Sequence, residues 1–249
     1  MAALRERLRL SGDLPREPAQ HETPEWDPNR FHAALDRAVR RFQERHGLEV
    51  DGLVGSRTPG ALNVPVAERI HQLRRNLERR RAFSMEERPI RVLVNIPAFL
   101  AYVLEEGKDP VAHRVVVGRE AGPSPLLTGE MGHVVLAPYW NVPPGIPRRA
   151  FSSGCIRVEG AMELARRLVD PLPGWGPERV RTVAEEGEER WVPLPEPIPV
   201  HTVYWTAWVG SAGTLHLVED LYGLDGGGGR VAGTPEETLS EYGPASPSG

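Results

Sequence analysis

Cys155 is the only cysteine among 249 residues, and it stands in Ser152-Ser153-Gly154-Cys155-Ile156-Arg157-Val158, directly ahead of a stretch with helical periodicity. A lone thiol has no disulfide partner and too few neighbours for a metal cage, so nucleophilic chemistry leads; the competing reading is a small buried hydrophobe. The thiolate is the attacking species, and at an ordinary thiol pKa of about 8.5 it needs a base or positive charge nearby to be abundant. Gly154 lets a substrate backbone come close, and the N–H groups of Gly154 and Cys155 are candidate oxyanion donors. Arg157 reads either as a holder of a carboxylate or as an ordinary surface ion pair. Ser152 and Ser153 read as hydrogen-bond partners of an imidazole or as loop caps.

Composition sets the outer limits. The length suits one large domain, or a main domain with a small companion, and buries a proper core either way. A net charge of −4 argues against a general affinity for nucleic acid or an anionic membrane. The N-terminus alternates charge with leucine and lacks the apolar centre of a signal peptide, and no run is long enough for a transmembrane helix.

The elements that must position the cysteine divide into two kinds. Leu35, Ala38, Val39 and Phe42 fall at i, i+3, i+4, i+7 and Gly47 follows as a stop, which predicts an amphipathic helix. Asp51-Gly52 makes a turn, Thr58-Pro59 opens a short helix, and Val66, Ile70, Leu73 and Leu77 continue at helical spacing as a connecting helix through Arg81. The arginines of that helix read as a solvated flank, with Glu68 and Glu78 interleaved. From Pro89 the pattern turns to β: Arg91–Ile96, Phe99–Leu104, Val111–Val117 and His133–Ala137 read as strands, with Glu106-Gly107 as a hairpin turn. Ala161, Leu164, Ala165 and Leu168 mark a helix closed by Pro171, and Val200–Val209 with Thr214–Val218 read as a final hairpin.

Three groups of residues together resemble the large periplasmic type of L,D-transpeptidase with a YkuD-type catalytic domain. Ala34 to Leu48, Asp51-Gly52-Leu53-Val54-Gly55 and Ala61-Leu62-Asn63 are similar to its small helical peptidoglycan-binding-like module. Val94-Asn95-Ile96-Pro97-Ala98-Phe99 and Val115-Val116-Val117-Gly118 are similar to the opening strands of its catalytic domain. Pro138-Tyr139-Trp140-Asn141-Val142-Pro143-Pro144 and the Ser-Ser-Gly-Cys-Ile-Arg-Val segment resemble its most specific signatures; Tyr139 and Trp140 themselves read as packing residues.

The resemblance implies an α+β chain: an N-terminal extension (1–30), a helical module (31–65), a connecting helix (66–87), a mostly β catalytic domain (88–225) built as a β-sandwich with one helix after the cysteine motif, and a flexible tail (226–249). It implies acyl transfer through a Cys155 thioester, with Gly154, Ser153 and Arg157 as oxyanion or substrate-binding residues and no metal or cofactor. The partners implied are peptidoglycan stem peptides, a tetrapeptide donor and a diamino-acid acceptor, in the periplasm or cell envelope, with no nucleic acid. The family's general base is a histidine upstream of the cysteine motif. The corresponding window near Leu136 holds none, which reads as an internal deletion near 145–151; His133 is the nearest candidate, while His113 and His201 read as structural. Impaired catalysis is the implied consequence, and the alternatives are an inactive peptidoglycan-binding protein or a truncated gene product.

Overall fold

Phe42 and its partners determine how the first unit assembles. Helix α2 (Ala33–Arg45) carries Leu35, Ala38, Val39 and Phe42 on one face, and all four are buried. They close on Leu8 and Leu14, so helix α1 (Ala2–Leu10) is an integral part of this core rather than an extension outside it. Arg45 and Asp13 fix the approach of the two segments through paired hydrogen bonds of 2.6 Å. Gln43 is buried beside Phe42; its Nε2 donates to Asp51 Oδ1 at 2.8 Å and its Oε1 accepts from Gly52 N–H at 2.9 Å, which shapes the expected Asp51-Gly52 turn.

The structure, a computed structural model, describes residues 1–15, 30–138 and 154–226. Tyr139, Trp140, the junction near 145–151, Ser152, Ser153 and the tail from 227 lie outside the described residues. The chain forms two units: Met1–Ala82 with Trp205–Asp220, and Phe83–Tyr204 with the chain from Leu221. Among the described residues no helix is long and apolar enough to cross a membrane.

Helix α3 (Arg57–Leu62) and helix α4 (Val66–Ala82) complete the helical part of the first unit. The apolar residues of α4 recur at helical spacing, yet Val66 is 73% exposed and Leu77 51%, while Gln72 and Asn76 are buried. The reason is a hairpin, β7 (Ala207–Val209) with β8 (Leu215–Leu217), that lies against this helix. Backbone groups buried at the hairpin's ends take side-chain partners from α4. Gln72 Nε2 donates to the carbonyls of Thr206 (3.0 Å) and Val218 (2.7 Å), and Asn76 Oδ1 accepts from Thr206 N–H at 2.8 Å. The amides, one helical turn apart, therefore face inward and the apolar stripe faces out. The final hairpin thus groups with the helices, not with the β domain to which residues 88–225 were assigned.

The second unit is built on one six-stranded sheet of order β4-β6-β1-β2-β3-β5. Strands β1 (Ile90–Asn95), β2 (Leu100–Glu105) and β3 (Val111–Val116) form an antiparallel meander. Strand β4 (Thr128–Leu136) lies at one edge, and the two-residue β5 (Arg157–Val158) at the other. Helices α5 (Ala161–Val169) and α6 (Pro177–Glu186) supply apolar residues to two cores, one through Leu168 and one through Val169, Val180 and Val183. The fold is α+β, a helical module followed by a mostly β domain; the described residues of this unit carry one six-stranded sheet and two helices after the cysteine.

Strand β6 (Arg190–Val203) escaped the sequence reading in its first ten residues because Pro193, Pro195, Pro197 and Pro199 argue against a strand. The ladder with β4 is interrupted across this stretch: residues 190–193 pair with 133–136 and residues 198–201 with 128–131, with a register shift between Met131 and His133. Pairing with β1 begins at Val200.

His46, buried in the helical unit with its ring 4.0 Å from that of Phe42, is pushed down to about 3 by burial and by the cations Arg45 and Arg69. It is neutral when folded and takes a proton readily when unfolded, so its contribution is present above about pH 6.5 and is lost as pH falls toward 3. The urea midpoint should fall by the equivalent of about 3 kcal/mol between pH 6.5 and pH 4, and the fall should be much shallower in His46→Gln.

Candidate active site

Two short pieces of structure present Cys155. After it, β5 pairs antiparallel with β3, Val116 opposite Arg157 and Val115 opposite Val158, and Glu159 N–H extends the ladder to the Arg114 carbonyl at 2.8 Å. Gly160, at φ +68°, then turns the chain into α5. Along this segment exposure alternates: Ile156 and Val158 pack against the sheet core, while Cys155 and Arg157 are exposed. The period of two places the thiol and the guanidinium on the same outward face. Cys155 is therefore not the buried hydrophobe of the competing reading.

Before the thiol, Gly154 has φ +85°, a conformation that a side chain strains. It also has little room: a Cβ there would stand 3.1 Å from the Pro123 carbonyl oxygen and 3.7 Å from Pro125 Cδ. The residue type is thus required by backbone conformation and by the approach of the loop between β3 and β4. That loop went unread in the sequence, although Gly118, Gly122, Pro123 and Pro125 gather there as turn formers.

The histidines are distributed differently from the cysteine. His133 is exposed on edge strand β4, with its ring centroid 4.4 Å from that of Trp191 on β6. In the order of the sheet, β6, β1, β2 and β3 all lie between that strand and β5, so the structure does not bring His133 and Cys155 together on neighbouring strands. His113 is buried on β3, its Nδ1 3.3 Å from the Glu159 carbonyl oxygen. His201 is buried on β6, its Nδ1 3.1 Å from Thr128 Oγ1, and burial lowers its pKa. Among the described residues no imidazole hydrogen-bonds Cys155, and no group of three or more His, Cys, Asp or Glu could hold a metal ion. Ser153 lies outside the described residues. Arg157 has no ion-pair partner among them.

Comparison with known proteins agrees with this two-part layout. Residues 89–151 match the family YkuD, the "L,D-transpeptidase catalytic domain", and residues 2–62 match PG_binding_1, the "Putative peptidoglycan binding domain". Two separate stretches of the chain are thus similar, in order, to a peptidoglycan-binding family and to the YkuD family. The module begins at α1, in keeping with Leu8 and Leu14 in its core. A curated protein of Haemophilus influenzae, named "Putative L,D-transpeptidase", is 38% identical over 77 residues, which is 31% of this chain and 15% of the relative. A solved structure described as L,D-transpeptidase (Yku) from Stackebrandtia nassauensis aligns with 80% of this chain and 88% of its own at 16% identity, with a TM-score of 0.30. The YkuD match closes at residue 151, just ahead of Gly154 and Cys155.

The placement of His133 has a measurable consequence. Alkylation of Cys155 by iodoacetamide at pH 7.5 should proceed at the same rate, within about twofold, in wild type and His133→Ala; a general base acting on the thiol would show as a fall of about 10² or more. Trp191 fluorescence, which the stacked ring perturbs, should change in the same variant and report that the substitution was felt locally.

Proposed function

We propose that this protein is a peptidoglycan L,D-transpeptidase of the cell envelope that works through a Cys155 acyl-enzyme, and that it works slowly. What carries the reading is the exposed thiol at the Gly154-Cys155 turn of a domain whose preceding segment matches the YkuD family. In the first half-reaction the Cys155 sulfur attacks the carbonyl carbon of the third residue of a donor tetrapeptide. The C–S bond forms, the amide C–N bond breaks, and the terminal D-alanine leaves with the proton that the thiol gave up. In the second, the side-chain amine of an acceptor diamino acid attacks the thioester; the C–N bond forms, the C–S bond breaks, and the amine proton returns to sulfur.

The residues divide the work as follows. The N–H groups of Gly154 and Cys155 serve the developing oxyanion, with Ser153 as a further substrate-binding residue. Arg157, on the outward face with the thiol, holds a stem carboxylate. The helical unit holds the enzyme on peptidoglycan. Slowness follows from the lack of an imidazole bonded to Cys155 among the described residues, because a positioned base contributes about 10² to 10⁴ in rate. The same observation favours a second reading, a peptidoglycan-binding protein without catalysis.

A carbapenem separates the two. The β-lactam carbonyl mimics the scissile amide and its opened ring stays attached, so intact-mass measurement should show a single adduct of the whole drug that is absent in Cys155→Ala. Uptake should take minutes to hours at millimolar drug. Folded protein that takes up no drug while still sedimenting with purified sacculi would replace the enzyme reading with the binding one.

A further inference from the structure

The loop from Gly118 to Leu127 is tied at its neck by a residue from the far end of its unit. Gly118 N–H donates to Ser124 Oγ at 2.9 Å, Ser124 N–H donates to Tyr222 Oη at 3.2 Å, and the Tyr222 hydroxyl donates to the Gly118 carbonyl at 2.6 Å. The three bonds close a ring, and one phenol serves as both donor and acceptor in it. Tyr222 is itself anchored: its N–H donates to Tyr204 Oη at 2.6 Å, and the two rings stack with centroids 5.6 Å apart. The far side of the loop is fastened to β6, where Thr202 Oγ1 donates to the Pro125 carbonyl and accepts from Leu127 N–H, each at 2.6 Å.

Between these ties the loop is packed closely. A Cβ on Gly118 would stand 2.1 Å from the Gly122 carbonyl oxygen and 2.8 Å from Ser124 N. The loop's outer turn is the part that meets the cysteine segment, with the Pro123 carbonyl oxygen against Gly154. Gly118 lies two residues past Val116, whose partner across the β3–β5 ladder is Arg157, so the neck and the thiol sit at the same level of the sheet edge.

We propose that Tyr222 is a positioning residue for Cys155. It acts through the loop: the phenol fixes the Gly118–Ser124 neck, the neck sets the Pro123 carbonyl, and that carbonyl sets the Gly154 peptide on which the direction of the Cys155 N–H and Sγ depends. The proposal rests on the reading of Cys155 as the acylated nucleophile. Acyl transfer is sensitive to such support, because a small misplacement of a nucleophile or an oxyanion donor costs far more in rate than in folding stability.

Tyr222→Phe, in the full chain, deletes the hydroxyl and keeps the ring that stacks on Tyr204. Acylation of Cys155 by a carbapenem should slow about tenfold, whereas alkylation by iodoacetamide, which needs no aligned N–H donors, should stay within about twofold. Ser124→Ala, which removes the acceptor for Gly118 N–H, should shift the same ratio in the same direction. Backbone hydrogen exchange should quicken in peptides covering 118–127 and also in those covering 154–158. Unchanged acylation, or an equal fall in both chemistries, overturns the proposal. Should wild type take up no carbapenem, the nucleophile reading fails and exchange alone decides: quickening that spreads to 154–158 supports positioning, and quickening confined to the loop overturns it.

Discussion

Two rungs of backbone pairing between β3 and β5 are the constraint on which the site depends. A strand of two residues is short by any measure, and on its own it would fray. Here it is held from three sides: Ile156 and Val158 are packed into the sheet core, Glu159 extends the ladder by one bond, and Gly160 passes the chain at once into α5, whose Leu164 and Leu168 enter that same core. Because side chains alternate, burying Ile156 and Val158 forces Cys155 and Arg157 outward. The exposure of the thiol is thus a by-product of where its apolar neighbours are buried. A one-residue slip of the register would bury the cysteine and expose two branched side chains, which makes the register well determined.

The same economy of buried backbone groups explains the elements that the local pattern misassigns. On α4 the hydrogen bonds of Gln72 to the carbonyls of Thr206 and Val218 and of Asn76 to the N–H of Thr206 set which face is inward, and two amides outrank four apolar side chains. Leaving a buried backbone group unpaired costs roughly 1 to 3 kcal/mol each, comparable to what burying a Val or Leu contributes. On β6 the proline-rich stretch lacks N–H donors, and the ladder with β4 shifts register across it and resumes at Ile198, with pairing to β1 from Val200. Both cases are settled by partners distant in sequence.

This marks the limit of what was legible from residues alone. The helix of Leu35, Ala38, Val39 and Phe42, the β1–β3 meander and the helix after the cysteine motif follow from periodicity and turn residues, which are local signals. The inversion of α4 and the membership of the last hairpin depend on contacts more than a hundred residues apart, for which the sequence has no local mark. Helix α1 was legible in principle, since Leu4 and Leu8 are spaced as helix neighbours, but its charged residues masked the pattern. At the site, Cys155 and Gly154 were legible because a lone thiol behind a glycine is unusual; Tyr222 was not, because a single tyrosine near the end of a chain says nothing of the loop it closes.

The three histidines of the β unit sharpen what kind of site this is. His113 sits on the core face of β3 and directs Nδ1 to the Glu159 carbonyl, His201 is engaged by Thr128 and lies edge-on to Phe83, and His133 stacks on Trp191 at the other edge of the sheet. Each ring is tied to a position that its strand's register dictates, and moving any of them toward Cys155 would break that register. What surrounds the thiol instead is backbone geometry: a glycine at positive φ, a tight loop and a short ladder, with the Arg157 guanidinium, which has no ion-pair partner among the described residues, on the same face. The described residues thus give Cys155 a held backbone and a neighbouring cation. On the proposed reading of Cys155 as the acylated nucleophile, rate depends on how well the turn is held, and its determinants are to be sought in the loop, the ladder and the residues that fasten them.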